Sequence, residues 1–255
     1  MPLMKTSNPA FGSKAFQDVV GRYGGAIDVT DRMTLNGTVN RTGFLLVCAL
    51  VSAWFTWRTY MQSHDPADVS GWLMLGVFGG LITAMVTIFK QNWAPITAPI
   101  YALMQGLFLG GVSAVLDLRY PGIAIQAVGL TFGVLFVMLL VYRSGLIKVS
   151  DKFRIGIIAA TGGIALFYFL QMILGFFHIN FIAVNGSGPI GIAFSLFVCA
   201  IAALNLVLDF DFIERGVNAG APKYMEWYGA FGIMVTLVWL YLEILRLLSK
   251  MRSRQ

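Results

Sequence analysis

Seven apolar stretches, each about as long as a membrane-crossing helix, leave this chain few folds to choose from. They run Gly43–Met61, Gly71–Phe89, Ala94–Leu116, Pro121–Tyr142, Ile155–Phe177, Gly188–Leu208 and Tyr228–Leu248. At 1.5 Å rise per residue, about 20 apolar residues cross a hydrocarbon core of about 30 Å. Within lipid only helices and closed barrels satisfy their backbone polar groups, and runs of this length belong to helices. The linkers are short, so consecutive spans pack antiparallel as one all-α integral membrane domain.

Composition agrees. The chain is 58% hydrophobic and 12% charged, against about 25% charged in a soluble domain, and its mean hydropathy is +0.76. It divides into a polar, basic segment over residues 1–42, the seven-helix domain over 43–248 and a basic tail over 249–255. The first segment carries an amphipathic stretch around Phe11, Phe16, Val19, Val20 and Tyr23 that reads as a surface helix. Cys48 and Cys199 both lie inside apolar runs, which excludes a disulfide framework and a zinc site built from them.

The net charge of +6 does not point to nucleic acid, because the basic residues flank apolar spans, where topology and lipid head groups account for them. Counting alternate loops puts 12 of the 18 basic residues on the side of the N-terminus and 6 on the other. The positive-inside rule then predicts a cytoplasmic N-terminus, as in a bacterial inner membrane, and an external C-terminus. Arg246, Lys250, Arg252 and Arg254 dissent, and a re-entrant last segment is the alternative that would accommodate them. The pairs Gly76 and Gly80, Gly106 and Gly110, and Gly129 and Gly133 each lie four apart, a spacing that predicts close helix contact.

Two carboxyl groups remain at membrane depth: Asp209 at the end of the sixth run and Glu243 within the seventh. Carboxylates there are costly and usually functional, facing a protein interior or a wet cavity. Asn205 shares the face of Asp209, Asp211 points away from it, and Arg246 sits three residues after Glu243, within reach of an intrahelical ion pair. The simpler readings are a helix-end carboxylate at Asp209 and a snorkelling Glu243–Arg246 pair. If 216–228 lies along the surface, the two acids meet at one depth. There they would share a proton when neutral, and repel or grip a hard cation such as calcium when ionised.

The residues around these acids resemble the Bax inhibitor-1-like (transmembrane Bax inhibitor motif) family. The resemblance rests on Leu208-Asp209 with Ile213-Glu214-Arg215-Gly216, and on Leu240-Tyr241-Leu242-Glu243. Met33-Thr34 and Asn36-Gly37-Thr38 resemble its long-N-terminus bacterial branch. The resemblance implies a last helix wrapped by the other six, an acidic pair at Asp209 and Glu243, a pH-sensitive calcium leak, and a link to stress tolerance or membrane-protein quality control. Three departures stand out: Glu243 replaces the usual Asp, the linker between the acids is long, and the second span lacks the arginine that members with a latch draw on. Arg246 is the substitute partner.

No enzyme is expected. The only histidines are His64 and His178, the last span has no central Schiff-base lysine, and there is no Gly-x-Gly-Asp turn. No cofactor is expected beyond calcium as a permeant or bound ion. The alternative to a leak is a non-catalytic regulator that binds a membrane protease or another membrane protein.

Overall fold

A computed structural model describes residues 31–177, 184 and 186–254. The surface helix expected around Phe11 to Tyr23, and His178, lie outside the described residues. Among the described residues, seven helices long and apolar enough to cross a membrane follow one another. They are α1 (Leu35–Ser63), α2 (Pro66–Phe89), α3 (Ala94–Arg119), α4 (Ile123–Arg143), α5 (Asp151–Phe176), α6 (Pro189–Asn218) and α7 (Met225–Arg252).

Local chemistry sets several of the helix starts. Thr34 accepts from the Gly37 amide, Asp65 from Ala67 and Ser150 from Phe153, each satisfying a donor that has no partner within its helix. The Thr34 cap starts α1 ahead of the apolar run at Gly43, within what the sequence assigned to the N-terminal segment. A turn with Gly220 at φ 68° joins α6 to α7, and the last segment is a full helix of 28 residues. An odd number of crossings puts the start of α1 and the end of α7 at opposite ends of the bundle.

The last helix is the core. In the most apolar window of each span, 67% of α7 is buried, against 50% of α6 and 11% of α5. It packs against α1, α3, α4 and α6, while α2 leans on α3 and α5 on α6. The expected wrapping is thus provided mainly by four helices, with α5 reaching α7 through single side chains.

Two of the three glycine pairs make close helix contacts. A Cβ on Gly106 would lie 2.2 Å from the Ala49 carbonyl oxygen and one on Gly110 2.1 Å from that of Ala53, so α3 sits directly on the α1 backbone. Gly76 meets the backbone of α3 at Met104 and Phe108, and Gly80 meets the Gln105 side chain. Gly129 and Gly133 depart from the expectation: among the described residues a Cβ added to either would meet no other helix or side chain within 4 Å, because the α4 face that carries them is exposed.

Candidate functional site

The seam between α5, α6 and α7 holds both carboxyls that the sequence places at membrane depth, Asp209 and Glu243. Asp209 on α6 is fully buried, and its Oδ2 accepts a 2.6 Å hydrogen bond from the Thr236 hydroxyl of α7. That length is typical of a hydroxyl donating to a carboxylate. Glu243 on α7 is 2% exposed. Its Oε1 accepts from the Tyr168 hydroxyl of α5 at 3.0 Å and from Arg246 Nη1 at 3.1 Å. The Arg246 guanidinium lies 4.8 Å from the centre of the Tyr168 ring, and its side chain is 46% exposed. The intrahelical Glu243–Arg246 pair that the spacing allowed is therefore present.

The structure does not bring the two acids to each other. Asp209 lies level with Thr236, which precedes Glu243 by seven residues, about 10 Å along a helix. The reason is helix length. Residues 216–228 do not lie along the surface: α6 continues to Asn218 and α7 starts at Met225, so only a short turn separates them and α7 has already climbed past Asp209 when it reaches Glu243. Nor do the acids act as joint metal ligands. Among the described residues no group of three or more His, Cys, Asp or Glu side chains is placed to hold a metal ion, and calcium takes 6–8 oxygens.

The supporting residues extend the seam. Asn205 is buried and donates to the Thr161 hydroxyl of α5 at 2.9 Å and to the Ile201 carbonyl at 2.8 Å. Asp211, toward the N-terminal end of the bundle, joins Arg154 of α5 at 2.9 Å to Arg215 of α6 at 3.0 Å. Nearby the Tyr142 hydroxyl of α4 donates to Glu214. At the opposite end the buried Lys250 ammonium donates to the Val184 and Gly191 carbonyls and the Ser195 hydroxyl at 2.8, 3.1 and 3.0 Å. Three donors meet three oxygens. Polar side chains thus recur along α6 and α7 from one end of the bundle to the other.

Two of these groups were invisible in the sequence. Lys250 read as part of a basic tail, yet it is buried, and Arg252 next to it donates to the Pro121 carbonyl at 2.6 Å and to Gln126 at 2.9 Å. With Arg246 paired to Glu243, three of the four dissenting positive charges have partners within the chain, and one of them, Lys250, is buried. Glu226 read as a loop residue. It is 2% exposed and accepts from the Thr34 amide at 3.1 Å and the Thr34 hydroxyl at 2.9 Å, with Arg41 Nε 3.8 Å away. A Cβ on Gly37 would collide with its carboxylate. The Met33–Thr38 motif is thus the seat for Glu226, a partnership across 192 residues of sequence.

A family model described as Bax inhibitor 1 like matches residues 8–253. No curated protein and no solved structure matches the chain.

Proposed function

This chain belongs to the Bax inhibitor 1 like family, and from that premise we propose that it is a pH-sensitive cation leak, with calcium as the permeant ion, running along the seam between α5, α6 and α7. The observation that carries this reading is the presence of two buried carboxyls, Asp209 and Glu243, at successive depths of one polar seam. Carboxylates retained at such depth usually mark an ion or proton path.

The acids work in series. Ionised, each offers oxygens to a hard cation; protonated, each becomes a hydrogen-bond donor and the path loses its negative charge. In the arrangement described above, Tyr168 and Arg246 occupy the Glu243 carboxylate and Thr236 occupies that of Asp209. This is the closed arrangement. Passage requires Arg246 to leave Glu243, and its half-exposed side chain has room to swing away. We place the protein in a bacterial inner membrane with its N-terminus in the cytoplasm, on the distribution of basic residues.

One observation favours a second reading. Each carboxyl is held by its own neighbours, as a structural strut would be, which fits a non-catalytic regulator of a membrane protease or another partner. Purified protein in liposomes loaded with a calcium dye separates the two. A leak is expected that changes with pH and is lost when Asp209→Asn and Glu243→Gln are combined. A folded wild type that passes no calcium at any pH, or a leak indifferent to both substitutions, overturns the proposal and leaves the regulator.

A further inference from the structure

Away from the polar seam, a cavity of about 390 Å³ opens on the side of the bundle. Its two sides are α1 and α4, and its floor is α3 and the central helix α7. Its size falls in the lower part of the range for small-ligand sites, about 300–1,000 Å³. Apart from a few hydroxyls its lining is apolar, and the Ser113 and Tyr241 hydroxyls on the floor satisfy each other at 2.7 Å. The rim faces outward: Trp54 of α1 is 60% exposed and Ile125 of α4 is 77% exposed. The floor does not. Met234 and Tyr241 of α7 are 2% and 8% exposed, so the cavity is the route by which something from outside reaches the core helix.

Its depth and its cationic end identify the occupant. All four helices are membrane spans, so the opening gives onto hydrocarbon. A helix about 10 Å across does not fit a space of this size, whereas a single acyl chain does. At the end where α1 finishes, the Arg58 guanidinium lies 5.4 Å from the centre of the Trp54 ring. A second cation, Arg252, is bound to the Pro121 carbonyl and Gln126 at the start of α4, beside the lining residues Ala124 and Ile125. Tryptophans at a span end with an arginine beyond them suit the boundary between acyl chains and phosphates.

We infer that this groove is a binding site for an anionic phospholipid, with one acyl chain lying against Met234 and Tyr241 of α7 and the phosphate held by Arg58. The site lies on the opposite flank of α7 from the polar seam and does not depend on the transport proposal. An occupied groove fills the space between α1 and α4 over the core helix.

The test uses the whole chain in proteoliposomes containing phosphatidylglycerol with a diazirine in its acyl chain, followed by photolysis and peptide mapping. Bulk lipid labels exposed faces such as Met74 and Phe78 of α2, but it reaches the buried Met234, Leu237, Val238 and Tyr241 of α7 only through the groove. Label on these four, assigned residue by residue, is expected, and it should be lost in Ala53→Phe, which fills the space, while label on α2 persists. If Ala53→Phe does not fold, Ile125→Trp at the exposed rim provides the same block. Arg58→Gln should reduce labelling of α7 by the phosphatidylglycerol probe to that given by a phosphatidylcholine probe. Absence of α7 label in the wild type overturns the inference, whether the groove is then empty, filled by another part of the chain or covered by a second copy. Equal labelling by the two probes in the wild type overturns it too.

Discussion

Gly110→Ala is a demanding test of the packing, because one methyl group meets an immovable neighbour. Its Cβ would sit 2.1 Å from the backbone oxygen of Ala53 and 2.3 Å from Thr56 Oγ1, whereas real Cβ atoms essentially never approach closer than 3.0 Å. The carbonyl belongs to the α1 backbone, so relief requires the two helices to move apart at their closest approach. Lipid provides no hydrophobic drive to hold separated helices together, so lost contact is not recovered. Overpacking of this kind costs about 1–3 kcal/mol. At about 2–4 °C per kcal/mol for a domain of this size, an intermediate cost of about 2 kcal/mol lowers Tm by about 4–8 °C. Thermal unfolding of the purified protein in detergent, followed by intrinsic fluorescence, measures this. Gly129→Ala is the control. It has the same four-residue spacing to its partner glycine but open space around it, and it should be neutral or stabilise by up to about 1 kcal/mol through reduced backbone freedom. Equal Tm values for Gly110→Ala and wild type, or equal losses in the two variants, would refute the assignment of contact to one pair and not the other.

Two further outcomes follow from the buried charges that the sequence concealed. Glu226→Ala removes the acceptor for the Thr34 amide and hydroxyl and the carboxylate beside the partly exposed Arg41. It should lower stability by about 1–3 kcal/mol, as leaving buried donors without their acceptor does, with faster hydrogen exchange at the start of α1; unchanged exchange there contradicts the clamp. Lys250→Met leaves the Val184 and Gly191 carbonyls and the Ser195 hydroxyl without their shared donor. It should cost about 1–3 kcal/mol and loosen the end of α7 toward proteolysis, and an unaltered digestion pattern counts against the tripod.

The fold was legible because lipid enforces it: seven runs of sufficient length admit little besides seven helices. The positions of Asp209 and Glu243 inside the protein were legible for a related reason, since an isolated carboxylate at that depth is rejected by hydrocarbon. Their mutual geometry was not. It depends on where α6 stops and α7 starts, and Gly216–Tyr228 looked like a surface linker because of Gly220, Pro222 and its mixed polarity, although most of it belongs to the two helices. Lys250 and Glu226 escaped because their partners come from distant segments, and no local spacing announces such contacts. The glycine pairs show the same limit. A spacing of four marks a face that is able to pack, but the α4 pair has no helix opposite it.

Asp209 and Glu243 sit at separate levels, each held by partners of its own. A double-mutant cycle on stability, with Asp209→Asn, Glu243→Gln and the combination, measures this separation most directly. Sites separated by about 10 Å without shared partners add to within about 0.5 kcal/mol, and that additivity is the predicted result. A coupling energy well above about 1 kcal/mol would mean that the acids share one proton or one ion, and would contradict the account.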